Sequence, residues 1–444
     1  MIVLTDILPV LAHFAAAFTA PTFLRVQDLV AAAILAPGRR TVANLLRTLG
    51  PLASVCPSTY RRVLSSARWS IFRLSCVLTR SVIERFCPDG PLVLVGDDTV
   101  DGHRGKRVHG KGRHRDPVRS SHTHTVWRYG HKWVVLCILV RLPFASRPWA
   151  LPVLIDLYTD PDTSRSLRRR HLTPAQRMIR LLRIFRRRLP DRALLFVGDG
   201  GFSSHEMARS CRAMSIALVG LSAGDTALYE PPGAYQGRGR PRVKGAKLPG
   251  PAAAVAGSVA RRTTVDWYGG GRREVDLVEG TGCWYRQGEG VVELRWVHVR
   301  DVSGTHRDTF VYTIDLSLSA EAIVGHYASR WNIETTFQEM RSELGLETTR
   351  GWFAGTVGRA APCLFGLYSL VALAFAELPD SVKAASGGVR WEGKCTTTFS
   401  DCLRAVRRHV WRCGLLKRLD PEGLVEKLPA ELREFLLNGL APAA

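Results

Sequence analysis

Short uninterrupted apolar runs, each broken off by an acidic residue, constrain this chain more than any other feature of its sequence. "PLVLVG" (91–96) ends at Asp97 and Asp98, and "ALLFVG" (193–198) ends at Asp199. Continuous runs of this length read as strands buried on both faces. "HKWVVLCILVRL" and "WALPVLIDLY" are two more, predicted to form an antiparallel hairpin around "PFASRP" (143–148). A helix is expected to start at Thr173-Pro174, with proline at the favoured first position. Its apolar stripe holds Met178, Leu182, Phe185 and Leu189, while Arg177, Arg180, Arg183 and Arg187 read as a solvated face. A second helix, "SSHEMARSCRAM", leads into the apolar run "IALVGL". The order strand, strand, strand, helix, strand, helix, strand predicts an α/β fold, a mixed sheet covered by helices. Open sheets of this kind present functional groups where strands end, which is where Asp98 and Asp199 fall.

The remaining chain divides around this core. Residues 1–90 read as a helical N-terminal DNA-binding domain, with Thr41 and Ser58 as expected helix caps, although helix packing alone produces the same basic faces. Residues 91–221 form the first part of the core. Residues 222–305 read as a β-rich insertion, in which "REVDLVE", "CWYRQ" and "VVELRWVHVRD" are short strands separated by glycine turns. Residues 306–378 complete the core with a long helix from about 318, and 379–444 form a helical C-terminal region containing the basic helix "FSDCLRAVRRHVWRCGLLKRL". The run at 361–378 is too short in its uncharged part for the ~20 residues that span a bilayer, and reads as a buried helix. Asp6 stands where a signal peptide carries positive charge. The ten cysteines sit at irregular spacings with no C-x-x-C pair, so neither a zinc ribbon nor a disulfide framework is indicated, and a reducing cytoplasm is the expected setting.

Charge narrows the function. Sixty-two basic against 39 acidic residues leave a net charge of +23, so a polyanion, nucleic acid first, is the expected partner and no membrane is. On the long helix Tyr327, Arg330, Glu334 and Arg341 are spaced by 3, 4 and 7 residues, which at ~100° per residue places them within an arc of about 60°. An i,i+4 ion pair explains Arg330 and Glu334 alone; all four together suit phosphate and metal.

"DDT" after one buried strand, "DGGF" after another and "YASRWNIETTFQEMR" on a helix resemble the three signature blocks of bacterial insertion-sequence transposases of the DDE class, in the group with a Tyr-Arg-Glu signature helix. The resemblance spans roughly residues 26–375. It departs at Arg341, where the family carries lysine. It implies an RNase H-like mixed five-stranded sheet with flanking helices, and a catalytic site of Asp98, Asp199 and Glu334 holding two Mg²⁺ ions, with Mn²⁺ as a substitute. By the same resemblance the residue before Thr99, hence Asp98 and not Asp97, is the first ligand. Two-metal sites suit in-line phosphoryl transfer, and oxygen ligands suit these ions.

In this reading the basic tract at 103–132, including Arg104, Lys106, Arg107 and Lys111, holds DNA phosphates together with Tyr327, Arg330 and Arg341. Six of the thirteen histidines lie in that tract at spacings that match no familiar ligand pattern, which favours a flexible phosphate-contacting loop over a zinc site. Trp267, Trp284 and Trp296 are available to stack on a flipped base, with Trp284 and Trp296 the named candidates. The implied activity is that of a transposase which binds the terminal inverted repeats of its element, cuts the ends and joins them to target DNA. It would act as a homodimer in a bacterial cytoplasm, near the nucleoid. The alternatives are another RNase H-like nuclease, such as a junction resolvase, and a non-catalytic DNA-binding descendant of a transposase.

Overall fold

The structure, a computed structural model, describes residues 4–53, 55–116, 120, 123–235, 237, 241–385 and 396–442. Four helices open the chain: α1 (Ala20–Leu35), α2 (Val42–Leu49), α3 (Pro57–Ser65) and α4 (Ile71–Phe86). Thr41 caps α2 as expected, its Oγ1 accepting from the Asn44 amide at 3.2 Å. Ser58 does not cap α3. Cys56 takes that position, because Pro57 already occupies the first turn, where its missing N–H costs nothing.

The core strands are β1 (Leu92–Gly102), β2 (Gly112–Arg115), β3 (Trp127–Val140), β4 (Trp149–Tyr158), β5 (Leu194–Gly198) and β6 (Ile216–Ser222). The expected hairpin is β3–β4, and β3 also pairs antiparallel with β1. β1, β5 and β6 run parallel. Neighbouring strands thus follow the order β4-β3-β1-β5-β6, the mixed five-stranded sheet expected from the sequence. Helices α5 (Pro161–Ser166), α6 (Pro174–Arg188) and α7 (His205–Ala213) fall between β4 and β6. Thr173 and Gln176 close a capping box on α6. Arg177 leaves the solvated face assigned to it: it is buried and its guanidinium meets Asp156 Oδ2 at 3.2 Å.

The β-rich segment holds β7 (Leu228–Tyr229), α8 (Pro251–Ala256), β8 (Arg261–Asp266), β9 (Arg272–Arg286) and β10 (Gly290–Asp301), followed by β11 (Thr309–Thr313). β11 pairs antiparallel with β6, so these strands extend the core sheet to eleven among the described residues. "REVDLVE" and "CWYRQ", expected as separate strands, are both part of β9. Gly280 between them makes no turn; a Cβ there would sit 2.6 Å from the Trp296 ring, so close packing is what requires glycine.

The expected long helix is two, α9 (Ala320–Ser329) and α10 (Asn332–Ser342). Between them the amides of Arg330, Trp331, Ile333 and Glu334 bond to carbonyls three residues back, a tight turn that interrupts the α-helical ladder. α11 (Ala354–Glu377) is long and apolar enough to cross a membrane by composition, and 78% of its apolar window is buried inside the fold. It packs against β4, α3, α4 and α13 (Phe399–Val410). α12 (Asp380–Ala385), α14 (Leu416–Leu419) and α15 (Ala430–Leu440) complete the region expected to be helical, of which 386–395 lie outside the described residues. Arg407 of α13 is buried and donates to the Ile34 carbonyl at 2.7 Å, tying the C-terminal helices to α1.

Candidate active site

The acidic positions follow from strand register. Gly96 of β1 lies beside Gly198 of β5, so the residues that follow, Asp97 and Asp199, leave the parallel pair side by side. Side chains alternate along a strand, and Asp97 and Asp98 therefore point to opposite faces of the sheet. Gly96 faces α6, where a Cβ would meet Met178 at 2.5 Å, and Asp98 shares that face. Asp97 faces α10. There the Arg330 guanidinium bridges two acids, reaching Asp97 Oδ2 at 3.4 Å and Glu334 Oε1 at 3.0 Å. Asp98 Oδ2 instead pairs with Lys132 Nζ at 2.8 Å. The structure thus brings Asp97 to the guanidinium that also holds Glu334, while Asp98, on the other face by the two-residue period of the strand, pairs with Lys132 and still feels the Asp199 charge.

Electrostatics mark the same cluster. Burial pushes Asp97 up to about 7, and the Asp199 carboxylate adds to that rise against the opposing pull of Arg330. Asp98 is also raised by burial, with Lys132 opposing and Asp199 contributing. Burial works to lower Arg330, but Asp97, Tyr327 and Glu334 outweigh it and hold the guanidinium above its ordinary value. The Tyr327 ring lies 5.7 Å from that guanidinium, and burial takes its hydroxyl up to about 12. Asp199 Oδ1 accepts from the Gly201 amide at 2.9 Å, which orients its carboxylate at the strand end. Asp97 and Glu334 share one guanidinium, and Asp199 leaves the sheet beside Asp97, so three carboxylates come from three elements of the fold. A hard divalent cation would suit these oxygens and offset the burial, and after it the Asp199 charge, that raise Asp97.

Arg341 leaves this group. Its guanidinium bonds Thr99 Oγ1 and reaches Glu347 Oε1 at 3.0 Å. Glu347 also receives Arg128 at 2.5 Å. Arg104, Lys106, Arg107 and Lys111 line an adjoining cleft of about 1230 Å³ together with Arg128 and Arg350. Trp127, Tyr129 and Trp352 line it too and are about half exposed, an aromatic contribution that sequence reasoning missed. The one available signal was the "TVWRYGHKW" stretch, where aromatic and basic residues interleave. The basic tract is not the flexible loop expected throughout: β2 pairs with β3 inside it, and His103, His114 and His131 are buried. His122 lies outside the described residues.

The tryptophans separate by position. Trp296 is buried against Gly280, and Trp284 packs edge-on to His205 and Tyr312, so both serve the core. Trp267 and Tyr268 instead border Tyr327, with Tyr268 stacked on His306 at 5.5 Å.

Asp97 lies where β1 parts from β5, Asp199 follows the end of β5, and Glu334 comes from α10. The family model described as "DDE superfamily endonuclease" matches residues 13–274, and the chain belongs to that family. No curated protein matches the chain. Among solved structures, the piggyBac transposase synaptic complex with hairpin DNA matches over 95% of this chain and 75% of that one, at 12% identity and a TM-score of 0.40.

Proposed function

We propose that this protein is a DNA transposase that binds the terminal inverted repeats of its own element, cleaves the element ends and transfers them to target DNA, acting as a homodimer. The observation that carries this reading is the Arg330 bridge between Asp97 and Glu334, with Asp199 in register beside Asp97. Asp97, Asp199 and Glu334 would hold divalent magnesium or manganese, which activates an attacking oxygen and stabilises a leaving one. Arg330 keeps two of these acids oriented and neutralises part of their repulsion for the incoming phosphate. Tyr327 keeps its ring against the guanidinium, and Arg104, Lys106, Arg107 and Lys111 draw the duplex backbone into the cleft.

The test is cleavage of DNA carrying the inverted repeats that flank the gene, with magnesium, by the full chain and by Asp97→Asn, Asp98→Asn, Asp199→Asn and Glu334→Gln. Loss at positions 97, 199 and 334 is expected to exceed the roughly 100-fold that a supporting residue is worth, with a smaller loss at 98. Full activity in Asp97→Asn with none in Asp98→Asn would return the first ligand to Asp98. Undiminished cleavage in all four would remove the acidic site altogether.

A further inference from the structure

Outside the acidic cluster, three potential metal ligands meet where β1 and β3 pair. Asp101 and His131 stand directly opposite each other in the antiparallel register, and His103, two residues beyond Asp101, falls on the same face. All three side chains are buried, and one ligand atom from each lies within 4.8 Å of the other two. We propose that Asp101, His103 and His131 bind one zinc-class transition-metal ion, a site separate from the carboxylates that face α10.

Two observations favour an ion over a hydrogen-bonded knot of side chains. Asp101 Oδ2 meets His103 Nε2 at 3.2 Å, yet Asp101 Oδ1 has no hydrogen-bond partner although the residue is fully buried. Stranding a carboxylate oxygen in that way is costly, and a cation removes the cost. His131 Nε2, for its part, donates to the His109 carbonyl at 2.9 Å, which places the free lone pair on Nδ1. A metal-bound histidine is commonly held by such a bond from its second nitrogen to a backbone carbonyl. With bonds of ~2.1 Å, tetrahedral ligand atoms sit about 3.4 Å apart, so separations within 4.8 Å close by up to about 1.4 Å and leave a fourth position open. Nitrogen-rich ligation of this kind suits zinc, cobalt or nickel better than magnesium. His103 also lines the cationic cleft, so the ion would pin the start of the basic tract to the sheet.

The experiment is metal analysis of the purified full-length chain, followed by cobalt(II) titration read by visible absorption. The expected result is about one equivalent of zinc, displaced by cobalt with ligand-field bands of low coordination number. His103→Asn and His131→Asn should each weaken cobalt binding at least tenfold, while Glu334→Gln leaves the bands intact. His103→Cys keeps a ligand at that position and should add a thiolate charge-transfer band, which reports the site even if an asparagine variant folds poorly. Absence of zinc and of cobalt bands in the unaltered chain, or bands indifferent to both histidine replacements, overturns the proposal. Magnesium-dependent DNA cleavage without bound zinc would defeat this site alone and leave the transposase reading standing.

Discussion

Arg330 holds more of the site together than any other residue. One guanidinium spans Asp97 and Glu334 because its fork offers two separated donors, and a lysine ammonium at the same place reaches one acid at a time. Arg330→Lys should therefore keep the charge and lose the bridge, lowering DNA cleavage by roughly 10- to 100-fold in kcat with a smaller change in substrate affinity. Equal cleavage by the lysine variant in single-turnover assays would show that charge alone matters. The acids themselves were legible as residue types, since both apolar runs visibly end in aspartate. Which of two adjacent aspartates faces the helix was not, because Asp97 and Asp98 close the same run equally well until the partner strand and its register are known. Arg330 and Glu334 were read as neighbours, and they are; their link to Asp97 is a contact across more than two hundred residues.

At the scale of the element, the break between α9 and α10 aims Glu334, and β4's neighbour Arg147 secures it. Arg147 reaches Asn332 Oδ1 at 3.2 Å, at the start of α10, and Glu339 Oε1 at 2.9 Å further along it. Tyr368 of α11 donates to the other Glu339 oxygen at 2.6 Å. Burial raises the Glu339 carboxyl, and Arg147 opposes that rise. Arg147→Met removes the opposing charge and should destabilise the fold by about 3 kcal/mol at pH 8, the scale for one partner taken from a buried pair. Without Arg147 the folded-state value of Glu339 climbs further above its unfolded value. The deficit is then largest at high pH and shrinks as pH falls through the raised value and the carboxyl takes up its proton. Urea unfolding of both proteins at pH 5 and pH 8 checks this, and a deficit that grows on acidification would contradict it. In the insertion, Gly280→Ala should cost about 1–3 kcal/mol by overpacking against Trp296, measurable in the same assay. The sequence showed helix through residue 330 without a proline or glycine to announce the interruption, and it showed glycines in β9 that resemble turns. Both misreadings share a cause: tertiary contacts, from Arg147 in one case and Trp296 in the other, decide what the local pattern leaves open.

For the whole molecule, the sheet runs unbroken from β4 through the β-rich segment, a continuity that depends on β6 meeting β11 across some ninety intervening residues and that no local pattern announces. Charge, by contrast, was visible in bulk but not in place. A net +23 spread evenly would bind any polyanion loosely. The fold instead sets Arg104, Lys106, Arg107 and Lys111 around one cleft, where Glu347 pairs with both Arg128 and Arg341 and a phosphate would compete for the same cations. If DNA follows this cleft, each cation lost there releases about one fewer counterion on binding. Replacing Arg104, Lys106 and Arg107 together by alanine should then flatten the plot of log affinity against log salt by about 2–3 units. An equal removal of charge on the exposed C-terminal surface, at Lys417, Arg418 and Lys427, should leave the slope nearly unchanged. Fluorescence anisotropy with duplex DNA between low and physiological salt measures both. Equal flattening in the two triple variants would mean that the slope reports total charge, and no change in the first would mean that the duplex takes another path to Asp97, Asp199 and Glu334.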